Sequence, residues 1–334
     1  MRILPFIILL LIFSSTSLHS QDVRRSASRI NQQDELTEWV AQYPDLEASK
    51  KKGFLRKVED LVLGKKPDFI VKPVGVCVDS EDKVWILSQE TGLVLKIINN
   101  EIHSGLGKSF KKNIYYPSLV SLCKLPGKGV LFTDSYLNLL MLIDEDQGSS
   151  RIFNEQVALE QPTGVAYSKP TDQVWVIETR AHKISVFSSG GDYLKSIGGR
   201  GTEPGQFNFP THLWIDHDGR AYVVDAMNFR VQIFSKEGEF ISAFGKAGDA
   251  TGSMARPKGI ACDSKGNIYV ADALFNTVQV FNDQGDFLYY FGSQGADKGQ
   301  FWMPAGLFID QKDRIYVSDS FNNRVQVFKL KEGG

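Results

Sequence analysis

Five acidic residues recur at the ends of similar apolar runs: Asp134 in VLFTD, Glu178 in VWVIE, Asp225 in AYVVD, Asp272 in IYVAD and Asp319 in IYVSD. Carboxylates that converge on one rim are hard oxygen ligands and could hold a divalent cation or a cationic ligand. The same recurrence fits a structural role, in which an acid at a strand end accepts backbone N–H bonds, and that reading covers all five. Arg230 and Arg324 each follow an acid by five positions. They carry two readings as well, an ion pair between neighbouring repeats or a contact with a ligand at the rim. Asp225, Arg230, Asp272, Asn276, Asp319, Asn323 and Arg324 are therefore candidate ligand-binding residues at a rim or channel.

Departures from the recurring pattern are more informative, because building the repeat does not require them. Glu178 stands where other copies have Asp, and His182 follows it within ETRAHK. His212 takes a position held by glycine in most copies, and Trp214 lies two residues on. Glu178, His182, His212 and Trp214 complete the candidate set. A catalytic zinc needs about three protein ligands, and His103, His182, His212 and His217 do not supply three aligned ones. A hydrogen-bonded or exposed imidazole is the plainer reading at each. The stretch DHDGR lacks the later glutamate of a calcium loop and sits where another copy has DSKGN, so it reads as a hairpin turn. No G-x-S-x-G elbow, phosphate loop or Cys-His zinc pattern is present. No catalytic residue, metal ligand or cofactor is assigned; calcium or zinc has no motif behind it.

The elements that must position these residues are short strands. Lining the chain up on proline gives KPVGVCVD, YPSLVSLC, QPTGVAYS, FPTHLWID, RPKGIACD and MPAGLFID, starting from Pro73, Pro117, Pro162, Pro210, Pro257 and Pro304. Each is followed by a polar turn, a second apolar run, a polar link, and a third run such as RVQVF; a fourth often follows, as in EFISAFG and DFLYYFG. Three to four short runs per unit, punctuated by Gly and Asp, predict four-stranded antiparallel sheets. Many runs are apolar without strict alternation, as expected of sheets covered on both faces. A lone sheet cannot cover both of its faces, whereas six sheets closed around an axis can. The predicted fold is all-β, a six-bladed β-propeller over residues 72–334.

The pattern P-x-G-[IVL]-x-x-D, then GNIYVAD, then NRVQVF resembles the NHL repeat, whose domains are commonly six-bladed propellers, over about residues 72–330. Ser88 in the first unit, Leu119 in the second and His212 in the fourth depart from it. The resemblance implies that His212 lies near the central channel and His182 on the loop beyond a second strand. Related propellers include lyases, among them peptide-amidating lyases that hold a metal through histidines from several blades. RNA-binding NHL domains need a basic face, and here basic residues such as Lys183, Arg230 and Arg324 are scattered.

The N terminus reads as a secretory signal over residues 1–20: Arg2, an apolar run from Ile3 to Phe13, then small and polar residues. That run is about half the roughly 20 residues a spanning helix needs. Without it, 37 basic residues face 39 acidic ones, which argues against a polyanion binder. Residues 21–71 are predicted as a linker with two short amphipathic helices, one carrying Leu36, Trp39, Val40 and Tyr43 and the other Phe54, Leu55, Val58, Leu61 and Val62. The stretch FLRKVEDLVLG is similar to one that precedes the first blade in exported bacterial NHL proteins. Cys77, Cys123 and Cys262 fall at different places in the repeat and read as buried small hydrophobes, a Cys77–Cys123 bridge being the alternative. The outermost strand of the sixth blade comes from upstream, from KLKEGG, or is missing. Taken together, an exported, periplasmic or extracellular monomer is expected, binding a protein, peptide or envelope glycan and no nucleic acid. A metal-dependent lyase or lactonase-like hydrolase with its site at the channel mouth is the alternative.

Overall fold

The computed structural model describes residues 36–45, 70–79, 81–106, 115–145 and 149–331. They form six antiparallel sheets of four strands each, the blades of a propeller. The first strands are Pro73–Val78, Leu119–Leu125, Pro162–Ser168, Pro210–Ile215, Pro257–Cys262 and Pro304–Ile309. Each touches its counterpart in the next blade, and the sixth touches the first, so the ring is closed around a channel. Proline suits the start of such a strand, where no ladder N–H is needed. Glycine two residues later lets neighbouring first strands approach closely: a Cβ on Gly306 would stand 2.6 Å from the Val74 carbonyl oxygen and 3.0 Å from Gly75 Cα.

The core is divided among the blade interfaces. Six apolar clusters each join two neighbouring blades, as where Trp175, Ile177 and Val186 of blade three meet Leu213, Val223 and Phe234 of blade four. Each such side chain contributes roughly 1.5–3 kcal/mol on burial as an upper estimate. A face-to-face interface of ten or so therefore outweighs any set of hydrogen bonds between blades, which net about 1 kcal/mol each.

Two expectations are corrected here. Thr37–Tyr43 is a strand, paired antiparallel with Arg324–Leu330 as the outermost strand of blade six. The propeller thus begins before residue 72, and the upstream segment supplies the strand the last blade lacked. The apolar spacing of Leu36, Trp39, Val40 and Tyr43 fitted a helix, but the open edge of RVQVF offers a full ladder of backbone bonds that an isolated short helix could not match. A bulge between Trp39 and Ala41 lets Trp39 pack between blades five and six while Ala41 and Tyr43 pack between six and one. The second correction is register. Leu119, not Pro117, pairs with Asp134, as Pro162 pairs with Glu178, so the glycine position of blade two is held by Ser121. Residues 1–20 and the second expected helix, Phe54 to Val62, lie outside the described residues. No helix among them is long and apolar enough to cross a membrane.

Candidate functional site

In every blade the start of the first strand pairs with the end of the second, as Pro210 with Asp225 and Pro304 with Asp319. The loops entering each blade and the links between its second and third strands therefore share one face of the disc, the proline face. All candidate residues except Trp214 stand at or near it.

The strand-end acids are turned into the fold. Asp225, Asp272 and Asp319 are fully buried, and Glu178 nearly so. Asp225 accepts the Asn208 N–H at 2.6 Å, and Asp319 the Trp302 N–H at 2.7 Å. Asp272 accepts the Ala255 N–H at 2.8 Å, and Glu178 the Glu160 N–H at 2.7 Å. Each acid thus pins the loop that enters its own blade. Arg230 Nε donates to Asp225 at 2.8 Å and Arg324 Nε to Asp319 at 2.8 Å, while their Nη2 groups bind carbonyls of the same loops. Arg324 Nη1 also reaches Gln42 of the N-terminal strand.

His182, Asn276 and Asn323 share a second role. They occupy the left-handed residue of the link between strands two and three, with φ of 55°, 55° and 54°. Each accepts the backbone N–H of the residue before the next blade's first strand: His182 Nδ1 from Phe209 at 3.1 Å, Asn276 Oδ1 from Met303 at 2.8 Å and Asn323 Oδ1 from Lys72 at 2.9 Å. Asn138 does the same for Gln161 at 2.8 Å. As an acceptor there, Nδ1 of His182 is unprotonated.

His212 and Trp214 lie in the channel wall, lining a cavity of about 170 Å³ built by the first strands of all six blades. Trp214 meets Phe308 of blade six edge to face, with ring centroids 5.4 Å apart. His212 Nδ1 is buried without a partner, as is Thr211 Oγ1. Burial first, and then Lys258 of the next blade, push the His212 pKa down to about 3. Burial and the neighbouring Arg256 lower that of Lys258. Neither Lys258 nor Arg256 has an ion-pair partner among the described residues.

The proline face also carries a crown of exposed apolar side chains. Tyr136, Met227, Leu274 and Phe321 each stand two residues after a strand-end acid and are 75%, 55%, 56% and 48% exposed. Leu137, Tyr115, Phe209 and Trp302 extend the crown, with Trp302 against Phe321 at 5.6 Å between centroids. The other exposed large hydrophobics among the described residues lie on outermost strands, none in the turns of the opposite face. Those turns are polar: Asp216, in DHDGR, accepts the N–H groups of Asp218 and Arg220, confirming a hairpin turn, and Asp263 and Asp310 repeat the arrangement. The crown tips are inconspicuous as types in the chain; the signal is positional, an apolar residue recurring at the middle of an otherwise polar link.

Cys77, Cys123 and Cys262 are free thiols. Burial raises the pKa of all three, that of Cys123 to about 12, so none is a ready thiolate. Among the described residues no three of His, Cys, Asp and Glu come together as a metal-binding group.

The family model described as 6-bladed beta-propeller matches residues 216–275 and 259–333. No curated protein matches the chain. Among solved structures the fold is similar to that of virginiamycin B lyase from Staphylococcus aureus, with 14% identity, TM-score 0.57, and coverage of 79% of this chain and 97% of the other. It is also similar to an auxiliary nutrient binding protein from Bacteroides ovatus, with 14% identity, TM-score 0.60 and coverage of 79% and 70%. A gluconolactonase from Xanthomonas campestris matches with 12% identity, TM-score 0.60 and coverage of 79% and 88%. The class is that of the six-bladed β-propellers, and at these identities the likeness is one of fold.

Proposed function

We propose that this chain is an exported, NHL-type propeller that acts as a binding module, its proline face taking an apolar segment of a protein or peptide. The observation that carries the reading is the crown. Large apolar side chains gathered on one face and missing from the turns of the other are the usual mark of an interaction surface. A glycan fits this face less well, because sugar hydroxyls call for free carboxylates and amides. Here the oxygens of Asp225, Asp272, Asp319, Asn276 and Asn323 are engaged by backbone N–H groups.

The test is capture of apolar hexapeptide pools by the immobilised protein, followed by the emission of exposed Trp302. Pools should bind and shift that emission to the blue. A Trp302→Ser, Phe321→Ser variant should lose capture with its melting temperature unchanged; undiminished capture would refute the reading. A second reading, a metal-dependent lyase or lactonase-like hydrolase, draws on the named lyase and gluconolactonase among the fold's neighbours and on His212 in the channel wall. It requires tightly held metal in the purified protein, lost on His212→Ala.

A further inference from the structure

The channel wall has an unbalanced charge. The six first strands read PVGVCV, LVSLCKL, PTGVAYS, PTHLWI, PKGIAC and PAGLFI, and no carboxylate occurs in any of them. Their ionisable groups other than thiols and the Tyr167 phenol are Lys124, His212 and Lys258. Lys124 pairs with Glu145, toward the opposite face. Lys258, next to Gly259 of the cavity lining, and Arg256, just before the strand, stand at the proline end of blade five with no ion-pair partner among the described residues, and this strand neighbours that of His212 in blade four. The strand-end acid of the same blade, Asp272, is taken up by the N–H groups of Ala255 and Arg256. A partly buried ammonium without a counter-ion is costly to keep, and an anion that enters offsets that cost.

We infer that the channel mouth beside Lys258, Arg256 and His212 takes a carboxylate, the C-terminal carboxylate of a peptide whose apolar side chains lie on the surrounding crown. The inference rests on the proline face being a peptide-binding surface and says which end of the peptide enters the channel. Lys258 supplies the charge, Arg256 a second and more exposed one, and His212 a partnerless ring nitrogen at the wall. On the same face, blades four, five and six carry the exposed crown residues Met227, Leu274, Trp302 and Phe321. A chain end that is both apolar and anionic meets both features at once.

The experiment uses the full chain and apolar hexapeptide pools made in two forms, as free acids and as C-terminal amides. Wild-type protein should capture the free-acid pool about tenfold or more over the amide pool, the loss expected for one charge-assisted contact. Lys258→Met should abolish that preference while still capturing both pools weakly through the crown. Arg256→Gln, on an exposed side chain, should reduce it and keeps the test open if the first variant folds poorly. Equal capture of the two pools by wild-type protein would overturn the carboxylate site and leave the binding face standing. Capture of neither would overturn both. A free-acid preference that survives both substitutions would place the carboxylate elsewhere and overturn the inference.

Discussion

The side-chain carbonyl of Asn323 accepts the backbone N–H of Lys72 at 2.9 Å, joining the last blade to the first across 251 positions of sequence. Both residues are left-handed, with φ of 54° and 51°. Replacing Asn323 by alanine removes the bond, worth about 1 kcal/mol, and forces a residue that resists this conformation, at roughly a further 1–2 kcal/mol. Asn323→Gly should lose only the bond. Urea denaturation of the two variants should therefore separate them by about the conformational penalty, alanine being the less stable. Equal midpoints would mean that the link relaxes and that the left-handed geometry is not enforced by the blades around it.

The N-terminal strand should matter as much as any interior one. Trp39 Nε1 donates to Gln326 at 3.1 Å, and its ring packs between blades five and six under Lys298. Trp39→Ala should cost about 3 kcal/mol, the lower end for a large aromatic truncation. Deleting residues 36–45 should do more, because it leaves the apolar edge Arg324–Leu330 unpaired and open to other chains. Sedimentation should then show association at micromolar concentration. A truncated protein that stays monomeric and keeps its melting temperature would remove this strand from the account of ring closure.

The blades were legible in the chain because each repeats one sentence, and repetition averages out the ambiguity of any single apolar run. What repetition could not supply was harder to see. Thr37–Tyr43 is one isolated copy, and its apolar residues suit a helix or a bulged strand equally; only the vacant edge of blade six decides. Pro117 drew blade two two residues out of register, since proline was the anchor and this blade alone places it before the strand instead of at its start. Among the candidate residues, the strand-end acids had their structural reading available from recurrence, whereas Arg230 and Arg324, expected to pair between neighbouring blades, pair with the acid of their own blade. The latch of His182, Asn276 and Asn323 had no such reading available, because its acceptor and donor lie in different blades. Lys258 was invisible for a related reason: its significance is the missing carboxylate around it, a property of six strands taken together.

His182 stands where two later blades use asparagine, and it offers Nδ1 where they offer Oδ1. His182→Asn should therefore keep both the bond to the Phe209 N–H and the left-handed backbone, which asparagine accepts readily. Its stability should match wild type to within about 0.5 kcal/mol, allowing for the lost ring contact with Phe209. His182→Ala should cost about 2 kcal/mol by losing bond and conformation together. Were asparagine as damaging as alanine, the ring itself, and with it a role outside the latch, would have to be what the position requires.

His212 gives the protein a pH dependence with a definite sign. Burial holds its folded-state pKa at about 3, below the ordinary value of 6.5, so the unfolded chain takes up a proton that the folded one refuses. Stability from this group is complete above pH 6.5 and drains as the pH falls from there toward 3. The slope is at most about 1.4 kcal/mol per pH unit, the value for one proton. His212→Gln removes the titration and keeps a polar side chain in the wall. Denaturation in urea from pH 7 to pH 4 should show wild type losing stability faster than the variant, the gap widening steadily below pH 6 and absent at pH 7.5 apart from a constant offset. Parallel curves would mean that the imidazole protonates in place, by water or an anion reaching it through the mouth. Where the gap is present, repeating the titration with a bound free-acid peptide should shrink it, since a carboxylate beside the ring raises its pKa and returns part of the penalty.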